Sequence, residues 1–193
     1  MRETCITRKT RETDIALTLR LDGSRQIQAA TGIGFFDHML TALAFHAGFD
    51  LALTVEGDLY VDGHHTVEDA GIAFGQALGR LLADKSGVAR YGTAFVPMDE
   101  ALGFCALDIS GRAYLAFDCD FAGPACGGFD TALAVEFFRA MAMNAGLTLH
   151  LRCLYGANDH HKLEALFKAC GQALRQAVAP QDGGALSTKG VLA

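Results

Sequence analysis

Nothing in this chain of 193 residues marks a membrane span, a secretory route or a disulfide framework. No apolar run approaches the ~20 residues that cross a bilayer. The opening segment, with Arg2, Glu3, Arg8, Lys9, Arg11 and Glu12, lacks the apolar stretch of a signal sequence. The six cysteines (Cys5, Cys105, Cys119, Cys126, Cys153, Cys170) are never spaced as CxxC, so they are expected to be reduced thiols, mostly core filler, rather than ligands or bridges. Basic residues are in deficit, with a formal net charge of −6, and binding a phosphate backbone needs a basic face. Nucleic acid is therefore disfavoured as a partner. No linker divides the chain, and Asp84-Lys85-Ser86-Gly87 is too short to make independent halves. The expectation is a soluble, unprocessed cytoplasmic protein whose single core is large enough to need no disulfide.

Histidine is used in a pattern. His64-His65-Thr66-Val67-Glu68 and His160-His161-Lys162-Leu163-Glu164 hold four of the seven histidines. On a helix, residues i and i+4 share a face while i+1 is turned by about 100°. His64 can thus converge with Glu68, and His160 with Glu164, while His65 and His161 point elsewhere. That geometry favours a dinuclear or shared arrangement in which each His-His pair divides its nitrogens between two ions. The all-nitrogen-and-oxygen donor set suits Mn, Fe, Zn or Ni.

The histidine pairs belong to a longer repeat. Gly75-Gln76-Ala77-Leu78 and Gly171-Gln172-Ala173-Leu174 follow them at equal distances, and Phe45-His46-Ala47-Gly48 aligns with Met143-Asn144-Ala145-Gly146. Each half reads as three strands, a helix (Phe35 to Ala47; Thr131 to Ala145), a strand, and a second amphipathic helix that starts at the His-His pair. Asp14 to Leu21 and Phe104 to Ile109 are β-rich, with Asp22-Gly23-Ser24 as a hairpin turn. In Leu147 to Leu151 the leucines face one side, and Thr148, His150 and Arg152 the other. The repeats span 1–84 and 88–179, and a tail follows at 180–193. Superposing Ala145-Gly146 on Ala47-Gly48 sets Glu136 opposite His38, which makes the two pseudo-symmetric candidate ligands.

A few localised cations can hold one small phosphate. Ser187-Thr188-Lys189-Gly190 has the hydroxyls, lysine and glycine for this, and equally the composition of a frayed polar tail. Arg90 and Arg112 can reach a phosphate through paired donors, or be ordinary surface arginines. Lys168, one turn beyond Glu164, can accompany the ligands or pair with that glutamate.

Taken in order, Thr31-Gly32-Ile33-Gly34-Phe35-Phe36-Asp37-His38-Met39-Leu40, Asp62 to Asp69, Pro97-Met98-Asp99-Glu100-Ala101-Leu102, Asn158-Asp159-His160-His161 and Ser187 to Gly190 resemble the imidazoleglycerol-phosphate dehydratase family of histidine biosynthesis across nearly the whole chain. With no phosphatase domain ahead of these blocks, the expected form is monofunctional. The resemblance implies an α+β fold of two ribosomal-S5-domain-2-like halves, with helices sandwiched between two mixed sheets. It also implies dehydration of imidazole glycerol phosphate to imidazole acetol phosphate, using two Mn(II) ions per subunit. The ligands would be His38, His64, His65, Glu68, Glu136, His160, His161 and Glu164. Phosphate would dock on Arg90, Arg112, Lys168, Ser187 and Lys189.

The resemblance further implies Glu12 as the carboxylate that moves protons, where composition alone suggests a surface charge pair with Arg11. His46 and Asp99 would lie near the substrate; otherwise His46 is a half-buried structural histidine, and Asp99 and Glu100 cap a turn. His150 is expected to be structural or to brace a ligand from behind. A particle of about twenty-four subunits built from trimers is implied, with sites completed between subunits. The chain departs from the family at Glu136, where histidine is frequent, and at Ala125, where arginine is. A metal-dependent hydrolase or a metal-held scaffold would use the same ligands. The first would activate water, and the second would ignore small phosphates.

Overall fold

The computed structural model describes residues 2–83, 85–184 and 186–187. The first half runs β1 (Glu3–Lys9), β2 (Thr13–Arg20), β3 (Ile27–Ala30), α1 (Gly34–Ala47), β4 (Asp50–Gly57) and α2 (His64–Leu82). The second repeats the order as β5 (Tyr91–Met98), β6 (Ala101–Asp108), β7 (Tyr114–Asp118), α3 (Leu133–Ala145), β10 (Thr148–Tyr155) and α4 (Asp159–Ala177). It adds a two-stranded ribbon, β8 (Ala125–Cys126) with β9 (Phe129–Asp130), ahead of α3. The expected order of three strands, helix, strand, helix holds in both halves. The ribbon was not foreseen, because two-residue strands carry no periodicity to read.

Each half makes one mixed sheet, β1-β2-β4-β3 and β5-β6-β10-β7, in which the third strand pairs parallel with the fourth. Asp22-Gly23-Ser24 is therefore not a hairpin turn. Strand β2 does not pair with β3, and the segment carries the chain past β4 to the sheet's far edge. It is held there by Asp50, whose carboxylate accepts the N–H groups of Ser24 (2.7 Å) and Gln26 (2.8 Å). The strands alternate as half-buried strands must: Ile15, Leu17 and Leu19 of β2 and Leu149 and Leu151 of β10 are buried, whereas His150 and Arg152 face outward.

The helices lie between the sheets. Helix α2 packs on β1 and β2 and against α3, while α4 packs on β5 and β6 and against α1. Each helix pair thus joins one half to the other. Glycines permit the close approach: a Cβ on Gly71 would stand 2.6 Å from the Phe137 carbonyl oxygen, and one on Gly75 2.5 Å from that of Met141. Helices α1 and α3 both end on a glycine in the left-handed region, Gly48 (φ 75°) and Gly146 (φ 68°). At the centre, Phe137 lies 5.4 Å from Phe36, 6.4 Å from Phe74 and 5.5 Å from Phe167, so one aromatic cluster draws on all four helices.

Of the cysteines, Cys105 and Cys170 fill the core as expected, Cys119, Cys126 and Cys153 are only partly buried, and Cys5 is exposed. All six are free thiols, and burial pushes the Cys119 thiol up to about 12. Among the described residues no helix is long and apolar enough to cross a membrane.

Candidate active site

Both histidine pairs sit at the first turn of a helix. On α2, Asp62 accepts the His64 N–H at 2.7 Å, and on α4, Asn158 accepts that of His160 at 2.9 Å. The helical spacing then acts as expected: His64 Nε2 is 3.5 Å from Glu68, and His160 Nε2 is 3.1 Å from Glu164.

His38, near the start of α1, completes the second pair's cluster. Its Nε2 lies 3.4 Å from Glu164, and one donor atom each from His38, His160 and Glu164 fall within 4.8 Å of one another. Among the described residues this is the only such group of three. Glu164 is buried at 7 % exposure. Burial alone would push its carboxyl pKa up, but the Lys168 ammonium at 2.6 Å and the rings of His38 and His160 outweigh it and hold the pKa below the usual value. Lys168 thus pairs with the glutamate, one of the two roles open to it.

The first pair is not closed in the same way. Glu136 sits on the first turn of α3 and is bound at 2.6 Å by Arg139, one turn along the same helix. Yet the helix register matches. Gly171 of α4 abuts Leu43 and Ala47 of α1, as Gly71 and Gly75 of α2 abut Phe137 and Met141 of α3. By that register Glu136 is the counterpart of His38, which contacts Glu164.

The remaining histidine of each pair is held by a carboxylate. His65 Nδ1 lies 3.1 Å from both oxygens of Asp58, and His161 Nδ1 lies 2.6 Å from Glu100. These contacts raise the pKa of each ring, the hydrogen bond being the largest cause in both. Glu100 also accepts the N–H groups of Asn158 (2.7 Å) and Ala157 (3.0 Å), and these with His161 push its carboxyl down to about 2. Sequence reasoning missed Asp58 altogether and gave Glu100 only a turn-capping role. The signal it overlooked was that Glu12 and Glu100 each stand one residue ahead of the second strand of their half. Glu12 stands 3.7 Å from His65 Nε2, and Asp99 stands 3.7 Å from His161 Nε2. Glu12 therefore faces His65, and a charge pair with Arg11 is not what the structure shows.

The candidate phosphate cations do not gather at one point. Arg90 grips Asp108 through two nitrogens (2.6 and 3.0 Å) and donates to the Leu186 carbonyl, which ties the tail segment to the body. Arg112 is exposed just beyond β6, close in sequence to Asp108, and its backbone N–H donates to Ser110. Lys168, by contrast, meets Met98 at the far end of β5. The strand from Tyr91 to Met98 separates the two ends by about 23 Å. Ser187 follows the Leu186 contact, and Lys189 lies outside the described residues. His46 is half-buried, and burial first, then nearby Lys168, lowers its pKa. His150 is exposed beside Tyr114, its ring 6.3 Å away, and takes no part in the cluster. Ala125 lies in the β8–β9 ribbon.

Comparison with known proteins gives one answer. A family model described as imidazoleglycerol-phosphate dehydratase matches residues 31–174. Proteins of that name from Streptococcus sanguinis and Listeria monocytogenes are each 55% identical over 194 residues, covering 100% of both chains. The crystal structure of the Staphylococcus aureus enzyme superposes with a TM-score of 0.84 at 40% identity, covering 93% of this chain and 99% of the other. That of the Pyrococcus furiosus enzyme superposes with a TM-score of 0.85 at 39% identity, covering 97% and 100%.

Proposed function

The chain belongs to the imidazoleglycerol-phosphate dehydratase family, hydro-lyases of histidine biosynthesis, and we propose that it dehydrates D-erythro-imidazole glycerol phosphate to imidazole acetol phosphate at a site holding two Mn(II) ions per subunit. The observation that carries this reading is the convergence of His38, His160 and Glu164, drawn from helices of both halves, to within 4.8 Å. Two imidazole nitrogens and a carboxylate oxygen fit a divalent first-row ion and leave coordination positions open for substrate. The second set would be His64, Glu68 and Glu136, related to the first by the repeat, with His65 and His161 each offering one further nitrogen donor through Nε2. When bound, the metal supplies Lewis acidity at the substrate's imidazole, which stabilises the negative charge left when the neighbouring C–H is deprotonated.

The protein's own groups do the rest. Glu12, half-exposed and facing His65 Nε2, takes the proton from carbon and returns one as hydroxide leaves the adjacent carbon as water. Arg90, Arg112, Ser187 and Lys189 hold the phosphate, and His46 contacts the substrate. Lys168 stands at the opposite end of β5 from Arg90, so Lys168 and the arginines serve one phosphate only if they come from different subunits. This separation supports a homo-oligomer with shared sites; we infer that the assembly is a 24-mer built from trimers, working in the cytoplasm. Incubating the manganese-loaded protein with imidazole glycerol phosphate tests the reading. The enolisable ketone product should form, and turnover should be lost on chelation. Binding of metal without any dehydration would overturn it.

A further inference from the structure

The two halves place their turn carboxylates in the same position and use them differently. Glu12 and Glu100 are each the second residue of a two-residue hairpin turn, between Thr10 and Thr13 in one half and between Met98 and Ala101 in the other. The residue after each turn faces the glycine that leads to the histidine helix. Thr13 pairs with Gly57, and Ala101 lies against Gly156, where an added Cβ would meet the Ala101 Cβ at 2.8 Å. The next residues, Asp58 and Ala157, are therefore counterparts.

At this pair the halves diverge. Asp58 carries a carboxylate and puts both oxygens 3.1 Å from His65 Nδ1. Ala157 has none, and Glu100 instead reaches His161 Nδ1 at 2.6 Å while its other oxygen takes two backbone N–H groups. A glutamate pinned by three donors cannot swing to a substrate. Glu12, whose backbone carbonyl accepts the Asp58 N–H at 3.0 Å, keeps its own carboxylate off Nδ1 and 3.7 Å from Nε2.

We propose that Asp58 is a positioning residue that holds His65 through Nδ1 in place of the turn glutamate, and that this substitution of one carboxylate for another leaves Glu12 free to transfer protons. A carboxylate on Nδ1 keeps the proton there and turns the Nε2 lone pair outward. Both halves need that service, and only the half with a second carboxylate can spare its turn glutamate. The proposal rests on the reading of Glu12 as the proton-transfer group.

The test is to move the carboxylate. In metal-free, 15N-histidine-labelled full-length protein, Glu100→Ala should shift His161 from the Nδ1–H tautomer to a mixture and lower Mn(II) affinity about 10- to 100-fold in titration. Adding Ala157→Asp to that variant builds the first half's arrangement in the second, and should restore both. Asp58→Ala should do to His65 what Glu100→Ala does to His161 and cut kcat about tenfold or more with little change in KM. Asp58→Asn, which still accepts the Nδ1 proton, should recover most of the loss. Glu100→Gln, which keeps the acceptor for the backbone donors, replaces Glu100→Ala if the latter does not fold. The proposal falls if Ala157→Asp restores neither tautomer nor affinity in a folded background, or if Asp58→Ala leaves the His65 tautomer unchanged. If instead the tautomers behave as described and Glu12→Gln turns over normally, the positioning role of Asp58 stands and the assignment of Glu12 fails.

Discussion

His38 on α1 and Glu164 on α4 stand 3.4 Å apart although 126 residues separate them in the chain. The contact exists because Gly171 lets α4 press onto α1, and Gly75 lets α2 press onto α3 in the same register. Under the proposed function, Glu136→Gln is expected to lower occupancy of one of the two proposed manganese sites and remove most activity, whereas Glu136→His should be tolerated. Metal counting on the purified variants decides it. Two ions per subunit and normal turnover in Glu136→Gln would leave the glutamate as no more than the partner of Arg139.

Removing the metal should also dissolve the proposed assembly. Clustered histidines and carboxylates without their common partner lose a binding energy that is linked to association. Light scattering is expected to show a large particle falling to smaller oligomers after chelation, and re-forming when Mn(II) is restored. Unchanged mass in verified metal-free protein would rule out ligands that bridge subunits.

The tail prediction concerns affinity rather than fold. Lys189→Ala removes a charge-assisted contact of ~1.5 to 3 kcal/mol, so substrate affinity should fall about tenfold or more with metal content unchanged. Steady-state kinetics reads this directly. Full activity in a truncation ending at Gly184 would refute the phosphate role of Ser187 and Lys189.

Helix packing offers a test that is independent of function. In Gly75→Ala the new methyl would overlap the Met141 carbonyl and the Asn144 Cβ, at 2.5 and 2.8 Å. Overpacking of that kind costs about 1–3 kcal/mol, more than the ~1 kcal/mol that alanine gains in helix propensity, so the variant should be less stable. Gly34→Ala, also helical but with no heavy atom within 4 Å, should be neutral or slightly stabilising. Thermal melts that rank the two the other way would contradict the described α2–α3 contact.

Asp50 gives a pH dependence of known sign. The Gln26 N–H, with help from the Ser24 N–H and Arg20 and against burial, holds its carboxyl below the ordinary value of 3.8. A depressed carboxyl contributes stability above its unfolded value and loses it as pH falls through the folded one. Melting temperature should therefore decline below about pH 4, and the decline should be shallower in Asp50→Asn. Parallel curves for the two proteins would remove Asp50 from the acid response.

The sequence by itself determined what short-range rules control. Helical spacing brings His64 to Glu68 and His160 to Glu164, alternation buries the odd-numbered leucines of β10, and the repeat fixes the order of elements in both halves. The first two follow from residues within a few positions of one another, where backbone geometry leaves little choice, and the third is read by comparing one half with the other. Tertiary structure alone decided which distant groups meet. Residues near Glu12 and Glu100 gave no sign that one carboxylate would stay free and the other be pinned. That difference arises from whether Asp58 or Ala157 follows a glycine some fifty residues further on, where β4 and β10 lie beside β2 and β6. The separation of Arg90 from Lys168 was likewise invisible, because it depends on the direction in which β5 runs along α4. The supposed hairpin at Asp22-Gly23-Ser24 failed for the same reason: turn residues announce a change of direction, and only strand pairing determines where the chain goes next.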